Sequence, residues 1–192
     1  MKNLWNWYWR VLICMFFISV NVDGAEKSGS INELKTVKKV ALERYLGKWY
    51  EIATIKQSFQ KKCAGGTTAV YTLREDGDIS VLNRCYTDKW QVVEAKGRAW
   101  VVDRESNAKL KVSFIPWIKL NFLAGDYWII GLGPSYEYAV VGHPSRKYGW
   151  ILSRSPELPE PVLRDIIKML ESQGYDFSRF SITDQKDFVS EK

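Results

Sequence analysis

The chain has 192 residues, of which 46% are hydrophobic, 14% aromatic and 26% charged, with a net charge of +6. This is enough apolar material for a one-domain core, and it excludes a disordered or low-complexity chain, which would lack aromatic and β-branched residues. One histidine (His143) and three cysteines make the chain poor in metal ligands and general bases, so no metal or cofactor is expected.

In chain order, Lys2 and Arg10 frame a short basic region, Val11 to Val20 is apolar apart from Ser19, and Val22 and Gly24 supply small side chains. The pattern predicts a secretory leader, residues 1–24, cleaved near Gly24. The apolar run is about ten residues, against the roughly twenty that span a bilayer. Cys14 follows Leu12 and Ile13 inside the run, so a lipoprotein leader is not indicated. Loss of the leader leaves Cys63 and Cys85. An even count in an exported chain points to a disulfide, two buried free thiols being the alternative.

Residues 25–41, polar and mixed in charge, read as a flexible lead-in. Eight short runs rich in Val, Ile, Tyr, Trp and Thr follow: Trp49–Lys56, Thr67–Arg74, Asp78–Tyr86, Trp90–Val102, Lys109–Ile115, Asp126–Leu132, Glu137–Gly142 and Trp150–Arg154. Asp76-Gly77, Gly133-Pro134 and His143-Pro144-Ser145 supply turn chemistry between them. Eight strands on short turns predict an all-β protein, an antiparallel up-and-down barrel or a sandwich. A helix follows, with Pro159 and Pro161 at its start, an apolar stripe of Val162, Ile166, Ile167 and Leu170, and Gly174 as its stop. Such a helix must dock, most simply on the outer wall. Phe177 to Ile182 reads as a short last strand.

Gly47-Lys48-Trp49-Tyr50-Glu51 at the first strand, Gly125-Asp126-Tyr127 at the sixth and Arg154 closing the eighth resemble the three signature regions of the lipocalins. Trp49 to Ala53, Asp76-Gly77 with Val81-Leu82-Asn83, and Trp150 to Pro156 are similar to the bacterial lipocalin and apolipoprotein D branch. The resemblance implies an eight-stranded lipocalin barrel over residues 42–185, with a C-terminal α-helix packed on its outside and a polar tail at 186–192. It implies that Gly47, Trp49, Asp126 and Arg154 are structural signature residues, with Trp49 plugging the closed end and Arg154 across it as a cation–π contact.

The family also implies carriage of a small hydrophobic ligand, for this branch a fatty acid or lysophospholipid at the cell envelope. With Trp49 inward, alternation places Glu51, Ala53 and Ile55 on the interior face as ligand-binding candidates. Glu51 is a polar anchor or a carboxylate paired structurally with a nearby Arg or Lys. The loops after strands one, three, five and seven form the open mouth. They carry Lys56, Lys61, Lys62, Lys89, Lys119, Arg146 and Lys147 beside Phe59, Trp90, Trp117 and Phe122. Basic residues next to aromatic ones suit an anionic membrane surface. The apolar stretch to Leu123 could equally lid the cavity or bury itself in a homodimer.

Three other classes fit the residues less well. A lipocalin-fold enzyme would need a nucleophile and base, and His143 beside Pro144 is better read as a turn residue than as a base or haem ligand. A structural outer-membrane barrel conflicts with the amphipathic helix and charged chain end. Nucleic acid is not an expected partner, because the basic residues are scattered. The chain is expected to be exported, to the periplasm or outer membrane if bacterial and otherwise secreted.

Overall fold

A computed structural model describes residues 33–115 and 121–189, so the leader read at residues 1–24 lies outside the described part. A short helix α1 (Leu42–Tyr45) precedes the strands β1 (Gly47–Thr54), β2 (Gly65–Leu73), β3 (Ile79–Tyr86), β4 (Val92–Val101) and β5 (Lys109–Ser113). Then come β6 (Gly125–Leu132), β7 (Tyr138–Gly142), β8 (Gly149–Ser153), α2 (Glu160–Ser172), β9 (Ser181–Ile182) and α3 (Lys186–Val189). Neighbours pair antiparallel from β2 through β8, β8 pairs with β1, and β1 pairs with β2, closing an eight-stranded up-and-down barrel.

Alternation sorts the side chains into two cores. Ile129, Ala139, Val141 and Leu152 join Trp49, Tyr71 and Val81 inside the barrel. Their strand neighbours Ile130, Val140 and Ile151 face outward and meet Ile166 and Leu170 of α2. Burying two such side chains stabilises the docked helix by roughly 1.5–3 kcal/mol each. Val162, Leu163 and Met169 pack there as well, so the expected stripe holds at Val162, Ile166 and Leu170, with Leu163 and Met169 added and the half-buried Ile167 outside the cluster. Pro159 stands at the N-cap, and Gly174 takes φ +82° just past the end.

Two expectations about the chain ends change. The lead-in is anchored from Leu34 onward: Leu34 and Val40 are buried, and the Val37 and Val40 amides donate to the carbonyls of Ile129 and Ser106. In the described part of the polar tail, Phe188 is likewise packed. After Tyr50 and Thr68 the ladder between β1 and β2 ends, and the C-terminal segment enters the gap. There β9 pairs with Ala53 and Thr54, and the Thr183 amide donates to Ile52 O. One side-chain amide, Gln185 Nε2, donates at 2.8 Å to Glu51 O on one strand and at 2.8 Å to Thr67 O on the other. Phe188 then stacks on Tyr86 and Trp90, with ring centres 5.5 and 4.6 Å away. Gly65 and Gly66 make this possible, since a Cβ at either would come within 2.3 and 2.7 Å of Phe188. Charge in residues 186–192 disguised the role of Phe188.

Candidate functional site

The barrel encloses a cavity of about 640 Å³. Pockets of roughly 300–1,000 Å³ suit one small ligand. Its walls are mostly apolar, from Ala69, Ile79, Val81, Val93, Leu110, Val112 and Leu152 among others, and Gln60, Phe114, Ile115, Leu123 and Tyr148 lie around the rim. These lie in the connections after the first, fifth and seventh strands, so the cavity opens at the end opposite Trp49.

That closed end is built by main-chain capture. Trp49 is fully buried and its Nε1 donates to Tyr45 O at 2.8 Å. The Arg154 guanidinium lies 3.7 Å from the Trp49 ring centre. It donates to the carbonyls of Lys48 (2.7 Å), Arg44 (2.7 Å) and Leu46 (2.9 Å). Gly47, at φ +91°, lets the chain turn beneath it. Asp126 does not join them. It stands at the start of β6 by the rim, where Oδ1 is 2.9 Å from Lys111 Nζ and Oδ2 is 3.8 Å from His143 Nε2. The companion of Trp49 and Arg154 is the turn between β6 and β7, whose Tyr136 stacks under Arg44 and accepts a bond from the Ala41 amide. The motif Gly125-Asp126-Tyr127 matched in composition but sits at the wrong end of its strand.

Of the interior candidates, Glu51 lines the cavity and Ala53 and Ile55 do not. The cause is a β-bulge: Glu51 pairs with Leu152 while Ala53 pairs with Ile151, leaving Ile52 as the extra residue. Beyond it the facing inverts, and Ala53 and Ile55 pack under α2 with Ile52. Glu51 is buried, and its two carboxyl oxygens accept from Thr183 Oγ1 (2.7 Å) and Gln60 Nε2 (3.2 Å). Burial pushes its pKa above the usual carboxylate range, with those two bonds and the nearby Lys56 charge opposing. Its partners are neutral groups, not the Arg or Lys expected of a structural pair.

At the rim, Lys61, Lys62 and Lys147 are exposed. Phe122 is 79% exposed and Leu123 49%. Trp90 keeps half its surface in solvent but is seated on Phe188. Arg146 turns away from the mouth, donating to Gln173 O at the end of α2 and to Pro144 O. Trp117 and Lys119 lie outside the described residues, as does the side chain of Phe59. Cys63 and Cys85 form a disulfide, resolving the choice left by the cysteine count. His143 Nδ1 accepts from the Ser145 amide at 3.1 Å and meets Ser145 Oγ at 2.8 Å, a local turn in which burial holds the ring below its ordinary pKa.

The residues that sequence reasoning passed over are Tyr45, Tyr71 and Tyr127, which place three hydroxyls at the inner end of the cavity. Inward alternation on β2 and β6 was the available signal for two of them. Asn83, beside them on the wall, had the same signal.

The sequence profile of the lipocalin-like domain matches residues 40–185. The chain is 40% identical over 159 residues to temperature-induced lipocalin-1 of Arabidopsis thaliana, covering 81% of this chain and 84% of that one. It is 36% identical over 176 residues to the outer membrane lipoprotein Blc of Vibrio cholerae, covering 91% and 98%. Among solved structures, the allergen Per a 4 from cockroaches superposes with a TM-score of 0.61 at 18% identity, covering 79% and 93%. With this barrel and these relatives, the chain belongs to the lipocalin family, whose members take small hydrophobic molecules into the barrel.

Proposed function

We propose that the protein is an exported carrier or store for a fatty acid or lysophospholipid, held with its chain in the cavity and its anionic head at the basic rim. The observation that carries this is a mostly apolar chamber of about 640 Å³ whose open end is edged by the exposed Lys61, Lys62 and Lys147. The relatives it resembles belong to a family of binding proteins, which favours carriage over turnover. Mass spectrometry of lipid retained through gentle purification tests the reading. A lipid-free protein that also ignores added fatty acid and lysophospholipid sinks it, and turnover of lipid esters favours a lipocalin-fold enzyme instead. Export rests on the leader at residues 1–24, and N-terminal sequencing of the secreted product should begin near residue 25.

A second reading rests on the exposed Phe122 and Leu123 beside Phe114 and Ile115 at the same rim. Apolar bulk ringed by lysines suits docking on an anionic membrane surface. Phe122→Glu should then reduce co-sedimentation with anionic vesicles. Unchanged co-sedimentation with a concentration-dependent rise in mass points to a homodimer burying this patch.

A further inference from the structure

Three phenols meet at the inner end of the cavity, Tyr45 from α1, Tyr71 from β2 and Tyr127 from β6. The Tyr127 hydroxyl is 2.7 Å from that of Tyr45 and 3.0 Å from that of Tyr71. Three hydroxyls bring three protons, and two oxygen–oxygen contacts use two of them. One O–H is therefore unspent whichever way the bonds run, and no other group among the described residues takes it. Burial pushes all three phenols above their ordinary range, Tyr71 to about 12, so the cluster stays a neutral donor at physiological pH.

A second polar group on this wall lacks a partner. Asn83 Oδ1 is buried with no hydrogen bond, and Asn83 stands two residues rimward of Val81, the ladder partner of Tyr71. Buried polar groups are ordinarily satisfied, and one left unmade is costly. The free O–H calls for an acceptor on an occupant, whereas Asn83 Oδ1 calls for a donor, which a hydroxyl supplies and a ketone, ester or ether does not. That occupant is uncharged at its inner end. Among the lining residues Arg84 is the one Lys or Arg, and it is exposed and paired with Glu94. A carboxylate at the floor would find one phenol donor and the Glu51 carboxyl in the same wall, while the Arg154 guanidinium that acts on Tyr45 lies outside the lining, committed to three carbonyls and the Trp49 ring.

Resting on the carrier reading, we infer that the buried end of the ligand carries an uncharged oxygen, a ketone, ester, ether or hydroxyl, that accepts the free O–H of the Tyr45–Tyr127–Tyr71 cluster. The selected class is then an oxygenated lipid, not one with a plain hydrocarbon end. A hydrocarbon end displaces water from that O–H and returns no bond, whereas a carbonyl replaces the bond.

The full-length protein is titrated calorimetrically with hexadecanoic acid and with 15-oxohexadecanoic acid, which differ by one ketone near the methyl end. The keto acid should bind about fivefold more tightly, the net worth of one neutral hydrogen bond. In the variant Tyr45→Phe/Tyr71→Phe/Tyr127→Phe the order should reverse. Tyr45→Phe or Tyr71→Phe alone should keep the preference, because two hydroxyls sharing one bond still leave one proton free. Equal affinities in the native protein, or an undiminished preference in the triple variant, overturn the inference. The native comparison decides the matter if the triple variant does not fold. Hexadecanoic acid binding without discrimination sinks this inference alone, and binding of neither acid sinks the carrier reading with it.

Discussion

Replacing Gln185 with Leu should open the barrel along one seam. Gln185 is 4% exposed, and its single amide nitrogen serves Glu51 O and Thr67 O, each at 2.8 Å, where β1 and β2 have parted. Leucine fills a similar volume and donates nothing. A buried polar group left unmade costs about 1–3 kcal/mol, and two carbonyls lose their shared donor, so the expected loss is about 2–4 kcal/mol. For a domain of this size each kcal/mol lowers Tm by roughly 2–4 °C, which predicts a fall of about 5–15 °C. Thermal and urea unfolding followed by circular dichroism measure both quantities. An apolar dye should also show increased binding, since the parted strands give onto the cavity wall. Gln185→Glu should be no milder, because a carboxylate would face two carbonyls. A loss under about 0.5 kcal/mol for Gln185→Leu, within the range of ordinary surface changes, would refute the assignment of this side chain as the clasp of the seam.

The buried Glu51 gives a pH dependence of definite sign. Its folded pKa is raised, so the folded state holds the proton longer, and stability falls as pH rises from the unfolded carboxylate value through the folded one. Glu51→Gln should flatten that slope and raise Tm at neutral pH, and parallel Tm–pH curves for the two proteins would contradict it. At the alkaline end, Tyr71 ionises at about 12 in the fold against 10.0 when unperturbed. It therefore contributes roughly 3 kcal/mol below pH 10 that is lost as pH climbs toward 12. Absorbance at the phenolate band should show Tyr45, Tyr71 and Tyr127 titrating only as the barrel unfolds, and ionisation of every tyrosine before unfolding would count against the cluster. At the closed end, Arg154→Lys keeps the charge but loses the planar fork that reaches three carbonyls and covers Trp49. A loss of about 1–3 kcal/mol and a red-shifted tryptophan emission are expected; an unshifted spectrum would argue against the stacking.

Sequential antiparallel strands, the docked helix and the disulfide were legible in the sequence because each rests on a local pattern: alternation, turn residues, a helical stripe and an even cysteine count, while the choice of barrel over sandwich came from the resemblance of the signature residues. The interior face of β1 was misread beyond Glu51 for the opposite reason. A bulge adds one residue against a partner strand about a hundred positions away, and no property of Ile52 announces it. Asp126 failed similarly: a three-residue match says nothing about which end of a strand it occupies. Phe188 and Gln185 were hidden by their charged neighbours, and their value comes from contacts with Gly65, Gly66 and Glu51, far back in the chain. Arg146 looked like a mouth cation, but the end of α2 offers it carbonyls, which favour a cation there. The tyrosine cluster joins three elements, so its members were visible singly and their meeting was not.

The C-terminal clasp also sets the order of events in biogenesis. Glu51 and Gln185 are separated by 134 positions, so Gln185 is made long after the strand it clasps. Chains are made at about 5–20 residues per second, N-terminal part first. For several seconds β1 and β2 therefore exist with their rimward halves apart and nothing between them. A nascent chain in that state can pair its early hairpins but cannot seal its wall until the clasp has emerged. Completion of the vessel therefore waits on Gln185, long after β1 and β2 are available to pair.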